Sequence, residues 1–156
     1  MMAALWSDVA EDIGSARHHL AQALAIVPDC RFDHKELGPY IYVAAFMHAM
    51  QSGYTSFEAG LKRIYAILDE PLPVGSDWHA MMLRRAGRPL PGSRPAIIDD
   101  GLMDAADELR RFRHVAMHVY DRFDGHRALE AVKAAEIFVA EIGPAIDRFR
   151  AAIDPD

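Results

Sequence analysis

The sequence predicts an all-α protein, an up-down bundle of four to five helices. Apolar residues recur every three or four positions along several long segments, which is the spacing of helices that bury one face. No segment alternates apolar and polar residues in the manner of a β-strand. The length of 156 residues suits one hydrophobic core, so we expect a single domain over residues 1–156.

The first two helices are bounded by prolines. Residues 4–26 form the first helical pattern, and Pro28 ends it. Residues 29–39 then form a loop. A long second pattern covers residues 40–69 and stops at Pro71, because proline has no backbone N–H to continue a helix.

Residues 71–98 form a connection rich in proline and glycine. It contains one short helix, which Ser76 or Asp77 can cap at its start and Gly87 can close at its end. A connection of this length inside a compact domain is usually an insertion or a functional segment.

Two further helices complete the predicted bundle. One begins at Asp99 or Asp100 and ends before Gly125, and the last covers residues 126–151. The residues of the last helix that we expect to face the core are Leu129, Val132, Val139, Ile142, Ile146 and Phe149.

Composition excludes several classes of protein. The only cysteine, Cys30, rules out a disulfide framework within one chain and favours a reducing cytoplasm. The N-terminus lacks the basic region of a signal peptide. No apolar run is long enough to span a membrane, so we expect no membrane association.

The charge distribution gives two opposing indications. The net charge of −6 argues against a general nucleic-acid binder. Residues 84–98, however, contain several arginines and no acid, and Arg110, Arg111 and Arg113 follow. Such arginines either attract phosphate or simply solvate exposed helix faces.

Metal and cofactor chemistry finds no support in the sequence. There is no Glu-x-x-His pair of the kind that di-metal bundles use, and no glycine-rich nucleotide-binding loop. His114 and His118 have the spacing of two zinc ligands, but Val115 stands where a zinc hydrolase of the H-E-x-x-H type has its glutamate. We expect no metal and no cofactor.

The segment 110–120 contains the residues that indicate a function. At about 100° per residue, its polar side chains and Met117 project away from the apolar stripe of the same helix. An apolar methionine in the middle of a polar face indicates that a partner covers it, so we expect a homodimer. The alternative is a solvent-exposed helix face. The side chains on this face are Arg111, Arg113, His114, Met117, His118 and Tyr120.

Arg113-x4-His118-x-Tyr120 resembles the R-x4-H-x-Y signature of HepT toxins in the HEPN superfamily. The polar residue that the family prefers directly after the arginine is supplied by His114. Residues 40–125 as a whole are similar to one HepT-like branch. The segments that carry this similarity are Tyr54-Thr55-Ser56-Phe57-Glu58, Leu72-Pro73 with Asp77-Trp78-His79, Arg94-Pro95-Ala96-Ile97-Ile98, and Phe112-Arg113-His114-Val115.

The resemblance implies a dimeric, metal-independent endoribonuclease that acts on RNA. Arg113 would stabilise the phosphate and His118 would move the proton, since histidine titrates near neutral pH. Glu58 would hold Arg113 through an ion pair, or else it is a plain solvated carboxylate. His114 would support the site.

The resemblance also implies a partner, an MNT-type nucleotidyltransferase antitoxin that attaches AMP to Tyr120. Further candidates for RNA binding are Arg94, Arg110 and Arg111. Trp78 and His79 either line the cleft or belong to a short helix whose tryptophan covers the core.

Two other functions stay open. One is a non-catalytic HEPN module that pairs with a nucleotidyltransferase as antitoxin or substrate-binding subunit. The acidic net charge favours this module, and so does Met117, which stands where that branch often has a basic residue. The other is a purely structural dimer.

Overall fold

The computed structural model of this protein describes residues 1–32, 36–118 and 125–155, with the side chains of residues 117 and 118 left outside that description. These residues contain five α-helices and no strand, so the predicted all-α fold is confirmed. None of the described helices is both long enough and apolar enough to cross a membrane. The helices are α1 (Met2–Ile26), α2 (Leu37–Ile67), α3 (Trp78–Ala86), α4 (Asp100–His118) and α5 (Gly125–Ile153).

The helix ends follow the predicted signals, with two corrections. Asp77 precedes α3, but its side chain makes no capping hydrogen bond. Asp99 accepts a hydrogen bond from the backbone N–H of Leu102 (2.8 Å), which caps α4 as predicted. Gly87 closes α3, also as predicted. The predicted loop 29–39 is too long, because α2 already begins at Leu37. Pro39 therefore lies in the first turn of α2, where the missing N–H costs nothing because the first N–H groups of a helix have no partner within it.

Helices α1 and α2 pack closely along their lengths because glycines in α2 allow it. A β-carbon added to Gly53 would lie 2.6 Å from Cγ of Leu20 in α1. One added to Gly60 would lie 3.0 Å from Cδ1 of Ile13. The absence of a side chain at these positions lets the two backbones approach.

Helix α5 buries smaller residues than predicted. Leu129 is 50% exposed and does not face the core, which corrects its predicted position. Ile142, Ile146 and Phe149 are buried as expected. Leu129 is turned away because it follows Ala128, which is buried, and adjacent residues on a helix point about 100° apart. The other buried residues of α5 are Ala131, Ala134, Ala135, Phe138 and Ala145.

Hydrogen bonds at buried positions hold the connection 71–98 against the bundle. The hydroxyl of Tyr65, near the end of α2, donates to the carbonyl of Met82 in α3 (2.8 Å). The N–H of Ile97 donates to the carbonyl of Ala86 (2.8 Å). These contacts hold α3 in place at the edge of the core, and Trp78, at its first turn, packs against that core.

Candidate functional site

Glu58 is the point at which three helices meet. This residue of α2 is only 4% exposed. Its Oε1 accepts a hydrogen bond from Nη1 of Arg113 in α4 (2.5 Å), and its Oε2 contacts Nδ1 of His79 in α3. The predicted ion pair between Glu58 and Arg113 is therefore present, and the reading of Glu58 as a solvated carboxylate is wrong.

The two contacts explain why a carboxylate is tolerated in this position. A buried charge is costly unless it is paired and hydrogen-bonded. Phe57 and Leu61, its neighbours on α2, are fully buried, so little water reaches the site from that side. With both oxygens of Glu58 occupied, the carboxylate has a fixed orientation.

Arg113 reaches from this buried pair to a polar groove of about 410 Å³. Its guanidinium carbon lies 5.7 Å from the centroid of the Tyr54 ring, which supports one face of the group. A guanidinium has five N–H donors, so the bond to Glu58 leaves others for a ligand. The remaining residues that line the groove are His48, Gln51, Ser52, Thr55 and Ser56.

Tyr54 supports the site through its ring. Burial, and then the nearby Glu58 carboxylate, raises the pKa of Tyr54 far above its usual range. Its hydroxyl is buried and has no hydrogen-bond partner in the described part of the chain. Tyr54 therefore stays protonated at neutral pH.

The contact of His79 with Glu58 was not predicted from the sequence. The His79 ring stacks on that of Trp78, with centroids 3.6 Å apart, and Nζ of Lys62 lies 4.5 Å from the Trp78 ring centroid. The two predicted alternatives for this segment both hold in part: Trp78 packs on the core, and His79 joins the Arg113 site. His79 and Glu58 are separated by 21 residues and an intervening turn, so no helical spacing connects them.

The other arginines of α4 are paired with acids of their own helix. Nε of Arg110 lies 2.9 Å from Asp107. Arg111 lies 3.3 Å from Asp107 and 3.0 Å from Glu108. These arginines contribute less net positive charge to the surface than the sequence suggests.

Arg94 is only 5% exposed. Its guanidinium contacts both oxygens of Glu70 and also donates to backbone carbonyls, including that of Arg88 (3.0 Å). This placement gives Arg94 a structural role and removes it from the predicted RNA-binding residues. The open pocket beside it, of about 510 Å³, is lined by Arg84, Arg85 and Arg88 among others.

Two of the predicted residues lie partly or wholly outside the described structure, whereas His114 lies within it. His114 is exposed on α4. The side chain of His118 and the whole of Tyr120 lie outside the described residues, so their roles stay predictions. Within the described ranges, no group of three or more histidine, cysteine, aspartate or glutamate residues is arranged to hold a metal ion.

Comparison with known families places most of the chain within one of them. Residues 45–153 match the family model described as HepT-like protein. The match includes Glu58, His79 and Arg113, and it extends through α5. No curated protein and no solved structure matches the chain.

Proposed function

This chain belongs to the HepT-like family, and we propose that it is a metal-independent endoribonuclease toxin of the HEPN type. The observation that carries the proposal is Arg113, which a buried carboxylate holds at the edge of a polar groove. A fixed guanidinium of this kind suits a phosphate group, because its planar N–H donors match two phosphate oxygens.

The proposed reaction uses the RNA itself as nucleophile. The 2′-oxygen attacks the adjacent phosphorus and loses its proton, the bond from phosphorus to O5′ breaks, and O5′ gains a proton. Arg113 would stabilise the charge that develops on the phosphorane oxygens. His118 would take part in the proton transfers, and His114 would support the site.

A homodimer would complete the cleft. On an ideal helix Arg113 and His118 diverge by roughly 140°, so one helix presents them poorly to one phosphate. The first turns of α2 offer a contact surface, with Leu37 74% exposed and Ile41 55% exposed. The same helix also contacts α4, which carries Arg113, since the ring of Phe46 in α2 contacts that of Phe112 in α4, with centroids 5.8 Å apart.

The proposed partner is an MNT-type nucleotidyltransferase that adds AMP to Tyr120. The added phosphodiester would bring negative charge beside Arg113 and compete with the phosphate of RNA. Cys30, as the sole cysteine, supports the expectation that this chain works in a reducing cytoplasm. The test is the intact mass of the chain after co-expression with such a partner, with Tyr120→Phe as the control that should gain no AMP.

The decisive experiment for the nuclease is expression of the chain alone. Growth arrest and RNA cleavage are expected from the wild type, and neither from His118→Ala or Arg113→Ala. Cleavage should persist in EDTA. Activity that requires Mg²⁺, or that survives both substitutions, would contradict the proposal.

The second candidate is a non-catalytic module that binds a nucleotidyltransferase. The net charge of −6 favours it, as do the acidic partners of Arg110 and Arg111, which reduce the attraction for RNA. In that case the chain alone would not arrest growth, although it would still co-purify with the nucleotidyltransferase.

A further inference from the structure

His79 and Arg113 bind opposite oxygens of one buried carboxylate. Nδ1 of His79 contacts Oε2 of Glu58, and Nη1 of Arg113 contacts Oε1. The two side chains come from α3 and α4, so their proximity does not depend on the register of a single helix. Glu58 therefore places an imidazole next to the guanidinium proposed to bind phosphate.

The contact with Glu58 also fixes which nitrogen of His79 is available. An ionised carboxylate can only accept a hydrogen bond, so Nδ1 carries the proton and donates it. In a neutral imidazole of that tautomer, Nε2 is the free acceptor. The His79 side chain is 32% exposed, and its Nε2 has no hydrogen-bond partner among the described residues. Stacking on Trp78 further restricts the plane of the ring.

On the basis of the proposed nuclease function, we propose that His79 is a second acid/base group of the site and acts as the base. RNA cleavage by the 2′-hydroxyl needs two proton transfers, one that takes the proton of the 2′-hydroxyl and one that gives a proton to O5′. Nε2 of His79 takes the proton of the 2′-hydroxyl as its oxygen bonds to phosphorus. The protonated His118 gives a proton to O5′ as the P–O5′ bond breaks, and this leaves a 2′,3′-cyclic phosphate and a 5′-hydroxyl.

A purely positional role for His79 predicts a different result for one substitution. Asparagine at position 79 keeps an N–H donor that can reach Glu58, but it cannot accept and release a proton near neutral pH. If His79 only orients Glu58, His79→Asn remains active. If His79 is the base, His79→Asn loses activity as completely as His79→Ala does.

The experiment compares single-turnover cleavage of a short RNA by the wild type, His79→Asn and His79→Ala. His18→Asn, a change at an exposed histidine of α1, is the matched control. We expect both position 79 variants to be slower by about 100-fold or more, the usual contribution of a general base, and the control to be unchanged. The melting temperature and RNA affinity of His79→Asn should stay close to those of the wild type, whereas His79→Ala also removes a partner of the buried Glu58 carboxylate and should melt at a lower temperature.

A substrate with a 5′-bridging sulfur separates the two histidines. A thiolate leaves without being protonated, so this substrate should restore cleavage by His118→Ala but not by His79→Asn. Restored cleavage by His79→Asn, or an active His79→Asn on ordinary RNA, would overturn the assignment of His79 while leaving the nuclease intact. A wild type that cleaves neither substrate would instead overturn the nuclease proposal, and this inference with it.

Discussion

Arg94 and Glu70 form a buried two-point ion pair that joins the end of the connection 71–98 to the turn that follows α2. Nη2 of Arg94 lies 3.1 Å from Oε2 of Glu70, and Nε contacts the other oxygen. The side chains are only 2% and 14% exposed. Removing one partner would therefore leave the other charge in a poorly solvated position.

The first prediction concerns this pair. Arg94→Ala should lower the free energy of unfolding by about 3–5 kcal/mol, because breaking a buried pair strands a charge. Urea denaturation followed by circular dichroism measures the change. Arg88→Ala, at an exposed arginine of the same segment, is the control and should change stability by about 0.5 kcal/mol or less. Equal effects of the two substitutions would contradict the structural role of Arg94.

The second prediction concerns the carboxylate at the candidate site. Glu58→Gln keeps the shape of the side chain but removes the charge that holds Arg113. We expect a loss of about 1–3 kcal/mol in stability, less than for a fully buried pair because Arg113 retains some contact with solvent. If the chain is a nuclease, cleavage should fall as well, since Arg113 loses its fixed position.

The control for Glu58 is Glu130→Gln. Glu130 pairs with Lys133 at 3.5 Å on an exposed face of α5, so its loss should change stability by about 0.5 kcal/mol or less. A Glu58→Gln variant as stable and as active as this control would show that Glu58 does not position Arg113.

The third prediction concerns the packing of α1 on α2. Gly53→Ala should destabilise the protein by about 1–3 kcal/mol, because the new methyl group would overlap Leu20 at 2.6 Å. Gly14→Ala provides the opposite control: nothing lies within 4 Å of the added carbon. In a helix interior that change should stabilise by about 0.5–1 kcal/mol. Thermal denaturation of the two variants should therefore show shifts of opposite sign.

The fourth prediction concerns the proposed dimer. Ile41→Asp places a charge in the exposed apolar surface at the start of α2 without touching the core. Analytical ultracentrifugation at micromolar concentration should show a dimer for the wild type and a monomer for the variant. Leu129→Asp, at an exposed leucine of α5, should remain dimeric. A wild type that sediments as a monomer would contradict the composite cleft.

The helical spacing of apolar residues predicts most of the fold, because a helix that buries one face must carry apolar residues every three or four positions. The start of α4 and the end of α3 follow from Asp99 and Gly87, whose local chemistry is sufficient to cap or close a helix. The prediction that Leu129 faces the core was wrong. Its apolar side chain made it a core candidate, but the buried face of this part of α5 is formed by alanines, and Leu129 lies beside that face.

The candidate site was only partly predictable. Arg113 and Glu58 follow from the resemblance, and their ion pair is present. The contact of His79 depends on how the connection 71–98 folds back on α2, and the burial of Arg94 depends on Glu70 across that same connection. Both contacts join segments that are distant in the sequence, and helical periodicity gives no information about such contacts.

Glu58, His79 and Arg113 come from three separate helices, so no short segment of the unfolded chain can bring them together. A growing polypeptide on the ribosome cannot assemble this site before α4 has left the exit tunnel and packed on α2. Any toxicity that depends on this cluster is therefore delayed until nearly the whole domain has been synthesised. In refolding experiments, ligand binding at Arg113 should return together with tertiary structure and not with the earlier recovery of helix content.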